Sequence, residues 1–249
     1  MENPAYAYNV FKKHFEGVEN RKAREGFVGL ELGPGDSLFS AMVAYGLGSS
    51  AFYLIDAGAR AQTDLRYYRA MAKFLRDAGV KSPDIEGMDS LESVLAACGA
   101  VYGTSGLRSL RTIPDRSVDF MFSHTVLQHL RRDEFVETLT HLRRILRPGG
   151  VASHVIDLKD MLGESLNHLR FPDSVWESDL MRNSGFYTNR IRYSEMLSLF
   201  AQAGFAVEVL TRQCWQSLPI PRSKMAIPFR DLPEEDLCVS GFWVRLRTN

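Results

Sequence analysis

The chain has 249 residues, enough to bury a substantial core as one large domain or two small ones. Hydrophobic residues make up 45% and charged residues 24%, the balance of an ordinary soluble globular protein. Thirty basic side chains offset thirty acidic ones, which argues against a nucleic-acid-binding surface, since phosphate binding shows as a basic excess.

Other global features point the same way. The cysteines Cys98, Cys214 and Cys238 are odd in number and far apart, with neither zinc-site nor disulfide spacing. A reducing, cytoplasmic compartment is therefore expected. Met1 to Asn20 carries Glu2, Lys12, Lys13 and Glu16 and lacks the apolar stretch of a signal peptide. Ser37 to Ile55 is uncharged and nearly long enough to span a membrane, but Gly46, Gly48, Ser49 and Ser50 interrupt it. It reads as a helix, a turn and a buried strand, so no membrane association is expected.

In chain order, Phe11, Phe15 and Val18 recur at helical spacing and predict an opening amphipathic helix. Phe27 to Leu32 is a short apolar strand ending at Gly33-Pro34-Gly35. Asp36 is placed to cap a helix from about Ser37 to Leu47. Ala51 to Ile55 is a second strand. A helix over Ala59 to Ala78, stopped by Gly79, and a short one over Leu91 to Cys98 follow. Ala100 to Tyr102 is a weak third strand and Ser117 to Ser123 a clear fourth. Asp133 to Leu146 is a helix, ended by Arg147-Pro148-Gly149-Gly150 before a fifth strand, Val151 to Ile156. Alternation of this kind implies βαβ units and a parallel sheet with right-handed crossovers.

After Asp157 the rhythm breaks. Leu158 to Arg192 has no strong period and is long for a connector, so it is expected to be a functional insertion. A helix over Tyr193 to Gln202 precedes strands at Phe205 to Leu210 and Cys238 to Leu246, candidates for an antiparallel pair at the sheet edge. The expected organisation is a single domain with four parts. Residues 1–25 form an N-terminal helix or lid, 26–157 a cofactor-binding core, 158–192 a substrate-recognition insertion, and 193–249 a C-terminal helix with edge strands.

Two features carry chemistry. Glu31-Leu32-Gly33-Pro34-Gly35-Asp36 joins a strand to a helix through a glycine turn, where a ligand can approach the backbone. Asp56 follows about twenty residues later at the end of the second strand. In nucleotide-binding α/β folds an acid there accepts hydrogen bonds from ribose hydroxyls, and strand carboxyl ends form the ligand crevice. A helix cap is the other use of Asp56.

The glycine turn resembles the first motif of class I S-adenosylmethionine-dependent methyltransferases. Ser117 to Leu130, with Ser123, His124, Gln128 and His129, is similar to that family's fourth-strand motif, and Leu146-Arg147-Pro148-Gly149-Gly150 to its turn before the fifth strand. The three occur in family order and cover most of Phe27 to Asp157. The resemblance implies a doubly wound, mostly parallel seven-stranded sheet of Rossmann-like type with an antiparallel edge strand. It implies S-adenosyl-L-methionine as cofactor. Glu31, Gly33 and Gly35 would hold its methionine end, Asp56 its ribose, and Ser105, Gly106 and Leu107 its adenine. Ser123 and His124 would lie near the methyl group. Many relatives have an acid near Ser105, and this chain does not. A nicotinamide reading fits less well, because Leu38 stands where the third glycine of Gly-x-Gly-x-x-Gly belongs.

Methyl transfer from a sulfonium needs mainly placement, and a hydroxyl acceptor also needs a base. His124 is the first candidate, because histidine titrates in the useful range. Asp157, at the end of the fifth strand, is the second, with helix capping as its plainer role. His129 reads as a scaffold residue. Without a dense ligand cluster, no metal is expected. Tyr187, Asn189 and Arg190 in the insertion are the expected acceptor contacts, because polar and aromatic groups suit a sugar-like or polyhydroxylated molecule. The expected activity is O-methylation of such a small molecule. A non-catalytic cofactor-binding module and an enzyme acting on RNA or protein are the alternatives.

Overall fold

The computed structural model describes residues 3–16 and 26–248. Glu2 and Val18 of the opening segment therefore lie outside the described residues. Strands and helices alternate as α1 (Pro4–Glu16), β1 (Val28–Leu32), α2 (Phe39–Gly46), β2 (Ala51–Ile55), α3 (Leu65–Asp77), α4 (Leu91–Ala97), β3 (Ala100–Gly103), α5 (Leu107–Thr112), β4 (Val118–His124), α6 (Arg132–Ile145) and β5 (Leu146–Asp157). The remainder contains α7 (Asp173–Trp176), α8 (Asp179–Arg182), α9 (Tyr193–Gln202), β6 (Phe205–Cys214), α10 (Ile227–Arg230), α11 (Glu234–Leu237) and β7 (Val239–Thr248). The seven strands form one sheet in the order β3-β2-β1-β4-β5-β7-β6, mostly parallel with an antiparallel edge.

The chain divides into two compact units. One is Met1–His124, His141–Ser153 and Arg247–Asn249; the other is Thr125–Thr140 and His154–Leu246. In the first, β1 pairs in parallel with β2 and β4, and β2 with β3. Apolar side chains at helical spacing dock α1 on this unit: Ala7, Val10 and Phe11 are buried, as is His14. Phe11 sits among the rings of Phe15, Phe52, Phe120 and Phe122, with centroids 5.5–6.1 Å away. Such edge and tilted contacts add to the area that each ring removes from water. In the second unit, Leu166, Leu169, Ile220, Met225, Phe229 and Leu237 make a separate small core. Arg192 is buried there and donates to the carbonyls of Leu158, Asp236, Leu237 and Val239 at 2.7–3.3 Å.

Several boundaries differ from the sequence expectation. α2 starts at Phe39 after Leu38, with no side-chain cap, so Asp36 does not cap it. α3 begins at Leu65, capped by Asp64, which accepts from Arg66 N at 3.0 Å. Residues 57–64 are thus a loop and not a helical turn. Apolar periodicity cannot locate such a start, because the cap fixes it. α5 was not expected. β5 begins at Leu146, so Arg147 to Gly150 enters the strand directly. Ser37 to Ile55 is α2 and β2, and among the described residues no helix is long and apolar enough to cross a membrane.

Candidate active site

The carboxyl ends of β1, β2 and β3 are stitched together by their backbone. Gly33 N donates to Ile55 O at 2.7 Å, Asp56 N to Gly103 O at 2.8 Å, and Gly106 N to Asp56 O at 2.8 Å. Gly33 and Gly35 adopt φ of 73° and 71°, which a side chain would strain. A Cβ on Gly35 would meet nothing within 4 Å, so the turn presents open backbone to whatever lies above it. Asp56 is half-buried. Its Oδ2 accepts from Gly35 N at 3.0 Å and its Oδ1 from Ala57 N at 2.6 Å. The carboxylate therefore fixes the turn while keeping lone pairs for a ligand.

The loop after β2 is pinned as well. Gln62 N donates to Asp36 O at 2.7 Å. Tyr102 Oη donates to Gly58 O at 3.1 Å and accepts from Arg60 N at 3.2 Å. Neither Gln62 nor Tyr102 stands out in the sequence, since their partners are distant loop groups. Ser105 is exposed in the loop between β3 and α5, and its N–H donates to Ser109 Oγ at 3.0 Å. Gly106 and Leu107 open α5.

Glu31 is buried at the end of β1 and accepts from Ser40 Oγ. Burial pushes its carboxyl up to about 7, with the hydroxyl opposing and Asp56 assisting. A small cavity adjoins it, lined by Ala7, Val10, Ser37, Ser40 and Phe122. α1 thus supplies part of the cavity wall.

Glu31 pairs in register with Phe122, so His124, two residues on, ends β4 level with the glycine turn. Ser123 is fully buried and His124 half-buried. Burial, then the Lys13 ammonium, hold the His124 imidazole below the ordinary histidine range. His124 Nδ1 lies 3.0 Å from His14 Nε2. The sequence expectation missed His14. Its signal was present in the spacing, one helical turn from Phe11 and Val10 on the buried stripe of α1.

The second unit holds the other expected residues. Asp157 Oδ1 accepts from Lys159 N at 2.8 Å, and Oδ2 faces Lys159 Nζ at 3.5 Å, so its carboxylate turns the chain after β5. His129 Nδ1 donates to Tyr187 O at 2.9 Å, a scaffold bond. Tyr187, Asn189 and Arg190, expected to contact the acceptor, are all buried. Tyr187 Oη donates to Glu177 at 3.0 Å. Asn189 Nδ2 donates to Leu127 O at 2.8 Å and Leu130 O at 3.1 Å. Arg190 donates to Phe171 O at 2.7 Å and Asp173 at 2.5 Å. Asn189 thus ties the insertion to the segment after β4, while Tyr187 and Arg190 bond to groups within the insertion itself. Composition could not reveal this, because the same polar types serve either purpose.

Residues 30–153 match the family model described as a methyltransferase domain. The chain belongs to the class I S-adenosylmethionine-dependent methyltransferases. It is therefore a methyltransferase enzyme, and S-adenosyl-L-methionine is its cofactor. Solved structures agree on the fold. YcgJ protein from Bacillus subtilis matches at 15% identity and TM-score 0.51, over 98% of this chain and 99% of that one. An arsenic(III) S-adenosylmethionine methyltransferase from Chlamydomonas reinhardtii matches at 17% and 0.51, over 98% and 71%. An S-adenosylmethionine-dependent methyltransferase from Mesorhizobium loti matches at 16% and 0.50, over 96% of each. A search of curated protein sequences finds no match. The residues present suit the methyltransferase cofactor. Open backbone at Gly35, a carboxylate at Asp56 and a buried acid at Glu31 offer groups for a nucleoside and an aminoacyl cation.

Proposed function

We propose that this methyltransferase acts at a hydroxyl of a sugar-like or natural-product small molecule. In this reading Glu31, Gly33 and Gly35 hold the methionine end of the cofactor and Asp56 its ribose. Ser105, Gly106 and Leu107 wall the adenine, and Ser123 and His124 border the methyl group. The observation that carries it is the joint placement of Glu31, the glycine turn, Asp56 and His124 at the carboxyl ends of adjacent strands β1, β2 and β4.

When bound, the cofactor supplies a methyl group already activated on sulfur. The protein's residues then place the acceptor and receive its proton. His124 is suited to that second task because it ends β4 level with the glycine turn, and burial favours its neutral, proton-accepting form. Balanced charge, thirty basic against thirty acidic residues, favours a small acceptor over RNA. Asp157, in this reading, turns the chain after β5. An acceptor contact is assigned to none of Tyr187, Asn189 and Arg190.

Calorimetric titration with S-adenosylmethionine and S-adenosylhomocysteine, with NAD as control, tests the cofactor site. A labelled-methyl screen of hydroxylated small molecules, amines, RNA and peptides then tests the acceptor. Transfer confined to hydroxylated small molecules and lost in His124→Gln is the expected result. Transfer to RNA or peptide, or none to any class despite tight cofactor binding, would overturn the small-molecule assignment.

A further inference from the structure

α1 brings to the site a side chain that the cofactor motifs do not contain. His14 is fully buried. Its imidazole lies against the Phe122 ring, centroids 5.0 Å apart and planes inclined at 30°, and edge-on to His124 at 5.3 Å and 89°. Nδ1 of His14 is 2.7 Å from Ser153 Oγ on β5, and Nε2 is 3.0 Å from His124 Nδ1. Two hydrogen bonds thus run in line through side chains from three elements.

A neutral imidazole donates at one nitrogen and accepts at the other. Taken by themselves, these two bonds have two self-consistent settings. In the first, Ser153 donates to His14 Nδ1 and His14 Nε2–H donates to His124 Nδ1. His124 then carries its proton on Nε2 and can take another only at Nδ1, where it would collide with the His14 N–H. In the second, His124 Nδ1–H donates to His14 Nε2, and His14 Nδ1–H donates to Ser153 Oγ. His124 Nε2 is then the basic atom. It can take an acceptor's proton while both hydrogen bonds stay in place.

We propose that His14 is a positioning residue that accepts from His124 Nδ1–H and so fixes His124 in the tautomer whose Nε2 is basic, with Ser153 fixing His14 in turn. The proposal rests on His124 being the proton acceptor. The logic is that of any general base whose second nitrogen is held by an orienting partner. Here the partner is an imidazole and not a carboxylate, so the device orients His124 without adding a negative charge. The orienting residue sits on α1, which also lines the cavity beside Glu31. Seating of that helix and the state of His124 are thereby tied together.

The test is two-bond ¹H–¹⁵N correlation of the histidine rings in the full chain with S-adenosylhomocysteine bound, at about pH 8, above the ordinary histidine range. His124 is assigned by its loss in His124→Gln. The expected spectrum shows His124 Nε2 without a proton and Nδ1 with one. In His14→Phe, which keeps an aromatic face against Phe122, the proton moves to Nε2. In His14→Gln, whose amide oxygen can accept from Nδ1–H, it returns to Nδ1. A protonated Nε2 in the parent overturns the proposal, whatever the variants do. So does a tautomer unchanged in a His14→Phe protein that still binds S-adenosylhomocysteine. Should His14→Phe fail to fold, a protonated Nε2 in folded His14→Gln overturns it instead. Full methyl transfer by His124→Gln would remove the base assignment while leaving the tautomer result standing, so the two failures are distinguishable.

Discussion

At the scale of single residues, two carboxylates at neighbouring strand ends are given opposite characters by their surroundings. Asp56 accepts two backbone N–H groups and stays half-exposed. Asp56→Ala should weaken S-adenosylhomocysteine binding about 10–100-fold, the range for losing a hydrogen bond to a charged group. Calorimetry on a folded variant checks this, and unchanged affinity would remove the ribose assignment. Glu31 is buried, and its carboxyl is pushed up to about 7 from an ordinary 4.5. Between those values the folded, ligand-free protein keeps a proton that the unfolded chain has released. Glu31 therefore lowers stability as pH rises through that window. A bound aminoacyl cation favours the carboxylate, so cofactor affinity should rise as pH passes through about 7. Titrations at a series of pH values should show this slope in the parent and a flatter one in Glu31→Gln. An identical slope in both would separate Glu31 from the methionine end.

At the scale of elements, α1 and the buried arginine of the second unit matter most. α1 is anchored by Phe11, which fills a ring cluster formed with β2 and β4. Phe11→Ala should cost about 3–5 kcal/mol, the usual range for deleting a buried aromatic ring. Urea denaturation followed by intrinsic fluorescence measures it, and a loss under about 1 kcal/mol would mean that the helix is not held by this ring. Arg192 joins the turn after β5 to the residues around the start of β7 by donating to four carbonyls. Burial pushes its guanidinium down to about 10, so it stays charged at neutral pH. Arg192→Met keeps much of the side-chain volume but orphans those carbonyls, and each buried polar group left unpaired costs about 1–3 kcal/mol. Marked destabilisation is expected in the same urea experiment, and a neutral outcome would show that water replaces the guanidinium.

At the scale of the whole molecule, the seven-stranded sheet aligns the carboxyl ends of its parallel strands, where open α/β folds bind ligands. A ligand that binds only the folded state stabilises it by mass action, about 2.7 kcal/mol at a hundredfold excess over Kd. S-adenosylhomocysteine should therefore raise the melting temperature progressively with concentration, and NAD should not. A shift with NAD alone would reopen the nicotinamide reading that Leu38 argues against.

The sequence by itself determined the order of the seven strands and of the longer helices, because apolar periodicity and glycine turns are local signals. It also located the Glu31–Gly35 turn, Asp56 and His124, since each sits where a strand ends and the motif spacing marks that end. Tertiary structure decided the rest. Helix starts such as Leu65 depend on a capping hydrogen bond that periodicity does not register. The partners of Tyr187, Asn189 and Arg190, among them Leu127, Phe171 and Glu177, are set by packing and not by spacing. His14 meets His124 across 110 positions and Ser153 across 139. Local sequence signals decay within a few turns of helix or strand. Only the folded chain brings those three side chains into one line.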